Sequence, residues 1–234
     1  MSKTVQRVYP TLNEEKKLFK SGYQLVIGFD EVGRGALAGP VMVGAAAITI
    51  TTLNTDIPQG LADSKMLTAK KRESLFHPLQ EWSYAWAVGS ATNQEIDAWG
   101  ISYALGIAAL RALNVIESHL IEQKQESLLS SVAGILDGPI DYITPASMTI
   151  NAPTVPILPS ITTRVKGDMT CACISAASVL AKVTRDQLME KYAQDHQYQA
   201  YHWDNNKGYG SAAHRQAITE QGPSNLHRLT WHLV

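Results

Sequence analysis

The stretch Val26-Ile27-Gly28-Phe29-Asp30-Glu31-Val32-Gly33-Arg34-Gly35 constrains this chain more than any other. An apolar run ends in two adjacent carboxylates, and a Gly-Arg-Gly turn follows at once. The apolar run reads as a buried strand. Neighbouring strand residues point to opposite faces, so in a regular strand Asp30 and Glu31 project to different sides. One can enter a site while the other offers its backbone carbonyl or bends round where the strand ends. Glycines on both sides of an arginine let the backbone take unusual dihedrals and approach a ligand closely. Acids at a strand end, beside exposed amides and a cation, suit a metal ion and a phosphate held side by side. There is a blander reading: Asp and Glu also end strands as solvated turn residues, and Gly-x-Gly is common in turns. A dinucleotide-binding crossover fits poorly, because it needs G-x-G-x-x-G opening a helix. Here the glycines at 33, 35 and 39 are one residue too far apart, and Pro40 to Ile50 reads as a second strand. A hairpin carrying acids and a glycine turn is the expectation.

The remaining segments extend this hairpin into one large domain, or one domain with a small appendage, which 234 residues allow. Residues 23–31 and 40–50 read as strands, 51–60 as a polar loop, 68–81 as a helix and 81–90 as a third strand. Thr92-Asn-Gln-Glu95 has capping-box spacing and opens a short helix ending near Gly100. A long helix follows at 101–124, with Leu105, Ala108, Ala109, Ala112 and Ile116 at helical spacing. Val132-Ala-Gly-Ile-Leu136 is a short apolar run ending at Asp137-Gly138, placed after a long helix as a parallel neighbour in the sheet would be. Residues 139–160 carry five prolines and read as irregular, with room for one short strand. Residues 169–193 read as one helix with a small-residue face of Ala172, Ser175, Ala176 and Val179. A last helix at about 211–221 stops at Gly222-Pro223. Strands alternating with helices give an α/β or α+β domain on a mixed sheet.

Asp137 repeats the logic of Asp30: it ends an apolar run and precedes a glycine. Asp168 follows Lys166-Gly167 before a helix, where a simple N-cap is the competing explanation. Asp63, Asp97, Asp141, Asp186 and Asp204 read as solvated or capping residues. Clustered carboxylates are costly to bury without partners. Mg²⁺ is a hard ion commonly held by a few carboxylates plus substrate phosphate. Two such ions about 4 Å apart can activate water and stabilise the leaving oxygen of a phosphodiester.

Several motifs now stand in order. They are Gly28-Phe-Asp-Glu-Val-Gly-Arg-Gly-Ala-Leu-Ala-Gly-Pro40, Leu61-Ala-Asp-Ser-Lys65, Ile135-Leu-Asp-Gly138, Lys166-Gly-Asp168 and Ala176-Ala-Ser-Val-Leu-Ala-Lys-Val-Thr-Arg-Asp186. Lys207-Gly-Tyr-Gly210 with His214, and Gly222-Pro223 with His227-Arg228, complete the set. In order and spacing, from about residue 22 to 230, they resemble the ribonuclease HII family. The resemblance implies an RNase H-like α/β fold: a mixed central sheet flanked by helices, with a small C-terminal helical part. It divides the chain into a catalytic domain at 1–190 and a helical substrate-binding part at 191–234. It implies that Asp30, Glu31, Asp137 and Asp168 are catalytic and bind Mg²⁺ or Mn²⁺. It implies that the Gly33-Arg34-Gly35 backbone and Tyr209 recognise the ribonucleotide and its junction with DNA. The 2′-hydroxyl that separates RNA from DNA suits such a backbone, and an aromatic ring can pack on a sugar. By the same analogy Lys65 contacts phosphate, although a solvated lysine at a helix entry is the plain alternative.

The implied activity is hydrolysis of the RNA strand of RNA–DNA hybrids and cutting at ribonucleotides embedded in duplex DNA, leaving 3′-hydroxyl and 5′-phosphate ends. Residues 169–173, Ala36 and the proline-rich 139–160 depart from the family pattern, and none touches the four acids. The related ribonuclease HIII class has an extra N-terminal domain and a glutamate as its last acid, so Asp168 and the short lead before Val26 favour HII. A junction resolvase on the same fold and a non-catalytic hybrid-binding protein are the competing functions. The glycine motifs argue against the first and the full set of acids against the second.

Charge neither supports nor excludes nucleic acid: the net charge is −1, but the balance turns positive if four acids bind cations. Five of the seven histidines lie after residue 195, near Lys207, Arg215 and Arg228. Tyr198, Trp203, Trp82, Trp86 and Trp99 read as packing residues. Cys171 and Cys173 read as small buried helix residues facing different directions, which makes a disulfide between them implausible. Free thiols, a start without a secretory apolar core and no run of about 18 apolar residues lead to the expectation of a cytoplasmic protein with no membrane contact; a monomer is expected, although the sequence does not give the oligomeric state.

Overall fold

The computed structural model describes residues 9–234; the first eight, on which the expectation about a secretory signal falls, lie outside that range. After helix α1 (Asn13–Lys20), strands β1 (Leu25–Val32) and β2 (Val41–Ile48) form the expected antiparallel hairpin, with Phe29 opposite Ala45. Helix α2 (Ala69–Trp82) leads to β3 (Ala85–Ala91), which pairs antiparallel with β2. Helices α3 (Asn93–Trp99) and α4 (Ile101–Glu122) lead to β4 (Val132–Asp137), parallel to β1. Helix α5 (Ile143–Ser147) precedes β5 (Ser160–Arg164), parallel to β4. Then come α6 (Gly167–Thr170), α7 (Ala172–Ala193), α8 (Trp203–Asn206) and α9 (Ala212–Gln221). The sheet order is β3-β2-β1-β4-β5, a mixed sheet with helices on both faces.

Alternation along β1 sorts the two faces. Leu25, Ile27 and Phe29 pack with Leu105, Ala108 and Ala109 of α4, while Val26 packs with Ile174 of α7. Full burial of a side chain such as Phe29 is worth about 1.5–3 kcal/mol. Gly28 lies on the α7 face, where a Cβ would collide with the backbone of Cys173 and Ile174. A Cβ at Gly44 would likewise meet Ala177. These glycines and the small residues of α7 seat the helix directly on β1 and β2. Helix α4 is long and apolar enough to cross a membrane by length and composition, yet 67% of that window is buried. It is the core helix on β2 and β3. Thr92 and Glu95 form the expected capping box at α3, each side chain accepting from the other's backbone N–H.

Four segments depart from the sequence reading. The third strand begins at Ala85 because Glu81 and Trp82 finish α2. The proline-rich segment contains a short helix, α5, and is followed by the fifth strand. That strand is an edge strand, exposed at four of its five positions, so it carries no hydrophobic pattern. The helix expected over 169–193 is broken at Cys171, which is extended (φ −111°, ψ 126°). There Thr11 inserts as a bridging residue, donating to Thr170 O and accepting from the N–H of Ala172, both at 3.0 Å. Cys171 is therefore buried in this break and not within a helix, and both thiols are free. The first turn of α7 is capped from a distance by buried Glu15, whose Oε1 accepts from Cys173 N at 3.0 Å. Finally, Asp186 is not solvated: it lies 2.7 Å from Lys182 and 3.7 Å from Arg72.

The C-terminal residues pack on the main body through their own apolar cluster. Tyr198, Tyr201, Trp203 and Ile218 enclose Leu37, Ala38 and Met189. Tyr198 and Trp203 are packing residues, as expected, with ring centroids 5.0 Å apart.

Candidate active site

Parallel pairing of β1 with β4 puts Phe29 opposite Leu136, so the acids that follow, Asp30 and Asp137, emerge side by side. By strand alternation both lie on the α7 face and Glu31 on the α4 face. The strand stays regular through Val32, and the two adjacent acids do diverge. Asp30 is buried against Ser178 of α7. Glu31 Oε2 accepts from buried Tyr142 at 3.4 Å, and its Oε1 pairs with Arg34 at 3.2 Å.

Asp137 positions the next acid. Its Oδ1 accepts from Gly167 N at 2.6 Å and from Asp168 N at 3.4 Å. Lys166, in the left-handed region at φ 58°, turns the chain into α6. Asp168 is consequently inside the short helix, where the N-cap is Lys166. Its buried carboxylate faces Lys65 Nζ at 3.9 Å.

The acids feel one another. Burial pushes the Asp30 pKa well above the aspartate range; the nearby Ser178 hydroxyl opposes this, and the charges of Asp137, Glu31 and Asp168 add to it. Burial, then Asp137 and Asp63, raise Asp168 to about 6, with Lys65 acting in the opposite sense. Partial burial disfavours the Lys65 ammonium, but Asp30, Asp168, Asp63 and Asp137 together outweigh it and raise its pKa. This is an all-oxygen, hard donor set short of counter-charge, which fits a divalent cation such as Mg²⁺ or Mn²⁺. Among the described residues no three acids form a ready-made metal cage. Asp137 is turned to the α6 amides, Asp30 to Glu31 N, and Glu31 to Arg34.

The glycine turn is built from beneath. Gly33 has φ 80°, a conformation that favours glycine, and its N–H donates to Tyr209 Oη at 3.1 Å. Buried Arg228 donates to Gly33 O at 2.6 Å, Arg34 O at 2.8 Å and Gly39 O at 3.2 Å. Buried Arg185 donates to Pro40 O at 3.0 Å, Ala38 O at 3.1 Å and Lys207 O at 2.8 Å. In a planar trans peptide the N–H points opposite to the C=O. With the Gly33 and Arg34 carbonyls drawn inward, the amides of Arg34 and Gly35 point away from Arg228. Tyr209 lies with Arg185 5.4 Å and Lys182 5.8 Å from its ring centre. One cleft of about 410 Å³ is walled by Glu31, residues 33–35, Ser64, Lys65, Ser178, Lys182 and Tyr209.

All nine residues singled out in the sequence thus meet in one region. Tyr142, Ser178, Lys182, Arg185 and Arg228 were not given roles there. Four of them stand in the quoted motifs, but their charge or hydroxyl reads as surface; Tyr142 lies in the proline-rich segment, which was expected not to touch the four acids and yet reaches Glu31. Of the C-terminal cations and histidines noted in the sequence, Arg228, His214 and His227 are fully buried.

Comparisons with known proteins show the family and the fold. A family model described as Ribonuclease HII matches residues 27–234. The ribonuclease HII of Streptomyces coelicolor is 41% identical over 223 residues, covering 95% of this chain and 83% of that protein. The crystal structure of ribonuclease H2 from Pyrococcus horikoshii superposes with a TM-score of 0.66 at 24% identity, covering 89% of this chain and 94% of that one. Bst ribonuclease HIII in complex with Mn²⁺ superposes with a TM-score of 0.65 at 19% identity, covering 91% of this chain and 68% of that one.

Proposed function

The chain belongs to the ribonuclease HII family and is an endoribonuclease, and from that premise we propose that it cuts both RNA–DNA hybrids and single ribonucleotides embedded in duplex DNA, leaving 3′-hydroxyl and 5′-phosphate ends. The observation that carries the finer part is the Gly33–Tyr209 contact at 3.1 Å, in the same cleft as Glu31. It joins a turn with outward amides to an aromatic ring, next to the acids.

In this reading Asp30, Glu31, Asp137 and Asp168 hold Mg²⁺ or Mn²⁺. The metal, when bound, supplies an activated water and neutralises charge developing on the phosphate. The chain's own groups do the selection. The amides of Arg34 and Gly35 donate to the 2′-hydroxyl, which deoxyribose lacks. The Tyr209 ring packs on the sugar at the junction with DNA. Lys65, exposed and drawn toward Asp168, donates to a phosphate. Residues 191–234 act as the substrate-binding part because they carry Tyr209 and the buried side chains that support it. The protein works as a monomer in the cytoplasm.

Tyr209→Ala tests the recognition step. It should reduce cleavage at a single embedded ribonucleotide more than cleavage of a long hybrid, where many registers are available. Mg²⁺ affinity should hardly change, since no carboxylate is touched. An equal loss on both substrates would leave Tyr209 a packing residue. Lys65, Arg34 and Lys182 should also make affinity fall with salt, in proportion to the phosphates neutralised. Binding that is flat between about 50 and 200 mM salt would argue against a phosphate-tracking cleft.

A further inference from the structure

Behind Tyr209 lies a pair of fully buried histidines, His214 and His227. His214 Nδ1 is 2.9 Å from Tyr209 O. A carbonyl only accepts, so Nδ1 carries the proton and, in a neutral ring, Nε2 is an acceptor. Trp203 Nε1, which can only donate, is 3.0 Å from that Nε2. His227 Nε2 is 3.1 Å from the same atom, so it is the second donor. His227 Nδ1 is then an acceptor, and it faces the backbone N–H and the hydroxyl of Ser224, both at 2.9 Å. One pair of neutral tautomers therefore satisfies every donor. A proton added at either acceptor nitrogen would face another N–H. Burial favours the neutral rings, lowering His214 and taking His227 to about 4.

The chain of bonds starts at Ser224 and ends on the residue that touches the glycine turn. Bridges between Ala36 and Tyr209, and between Ala38 and His227, tie it to the same segment. We propose that His214 is a positioning residue for ribonucleotide selection: its Nδ1–H fixes the Tyr209 backbone, with Trp203 and His227 fixing the imidazole, so that the phenol stays on the Gly33 amide. The inference rests on Tyr209 reading the ribonucleotide junction. His214 itself is buried and touches no substrate.

Nitrogen NMR of ¹⁵N-histidine-labelled protein at neutral pH should show both rings neutral, His214 protonated at Nδ1 and His227 at Nε2. A His214 cation, or His214 protonated at Nε2, overturns the relay. Two variants separate positioning from bulk stability. His214→Asn can still donate where Nδ1 does, whereas His214→Gln keeps an acceptor near Nε2 and loses that donor. At matched folded protein, His214→Gln should lower the ratio of single-ribonucleotide to hybrid cleavage about tenfold, as misplacement of a positioning group does, and His214→Asn should keep the ratio. Equal ratios in both variants overturn the proposal. Should the His214 variants fail to fold, His227→Gln, which keeps the donor, should hold the ratio and His227→Met should lower it; no difference between them overturns it too. Tyr209→Ala run alongside separates the two readings. If its ratio is unchanged, Tyr209 does not read the junction. If its ratio falls while His214→Gln keeps the wild-type ratio, only the relay fails.

Discussion

Asp30→Asn should lose on the order of 100-fold or more in hybrid cleavage, the scale of removing a key electrostatic contributor, while the metal-free protein becomes more stable than wild type. Both effects follow from the same surroundings. Asp30 is 3% exposed and sits among Asp137, Glu31 and Asp168, with burial the largest cause of its raised pKa. An acid whose folded pKa lies above its unfolded value binds more protons folded than unfolded, so its charge destabilises the fold as pH rises past the unfolded value. The stabilisation by asparagine should accordingly be small near pH 4 and grow toward neutrality. Asparagine keeps an oxygen for the Glu31 N–H, which Asp30 Oδ1 accepts at 2.8 Å. Urea denaturation in chelator across pH measures the stability, and cleavage in Mg²⁺ measures the activity. A variant that is inactive but also destabilised would mean that Asp30 is part of the scaffold and not an acid held ready for a cation. Full wild-type activity after exhaustive chelation would sink the metal reading altogether.

The convergence of the acids was legible because the determinants are local. An apolar run ending in an acid says where a strand stops, and two such runs on parallel neighbours bring Asp30 and Asp137 together. Gly33 was legible for a similar reason, since a turn at positive φ favours that residue. What supports the turn was not. Arg185 and Arg228 look like ordinary surface cations in the sequence, and only the fold shows them enclosed by backbone carbonyls from 33 to 40 and 207. The break at Cys171 escaped because its cause, Thr11, lies far away in the chain. Strand β5 escaped because its exposed edge needs no apolar alternation. That Asp168 is not the helix N-cap was not legible either: Lys166 is the N-cap, and Asp137 holds the amides of Gly167 and Asp168.

Arg228→Met should cost about 3 kcal/mol of stability, a balance of opposing effects. Methionine takes the Arg228 donor from the carbonyls of Gly33, Arg34 and Gly39; Gly33 O still accepts from Ala36 N at 3.2 Å, so the loss falls on Arg34 and Gly39, and a buried unsatisfied carbonyl costs about 1–3 kcal/mol. Against this, a buried cation is removed that has no ion-pair partner within 4 Å among the described residues, Asp97 acting on it only from further off, and replacing buried charge with apolar bulk can be neutral or stabilising. Burial, with Arg185 nearby, lowers the Arg228 pKa to about 9, so it remains charged at neutral pH. The carbonyls decide the sign, because three of them converge on one guanidinium, whose face also lies 4.8 Å from the Trp231 ring centre. Arg228→Lys should fall between wild type and methionine, since an ammonium can reach some of these oxygens but lacks the planar fork. Function should follow the same order. Without the inward pull on the Gly33 and Arg34 carbonyls, the amides of Arg34 and Gly35 lose their fixed direction, and cleavage at an embedded ribonucleotide should fall further than Mg²⁺ binding. Urea denaturation of the three proteins at neutral pH gives the ranking. A methionine variant as stable as wild type would mean that the turn holds its shape without Arg228, and the outward amides would then need another cause.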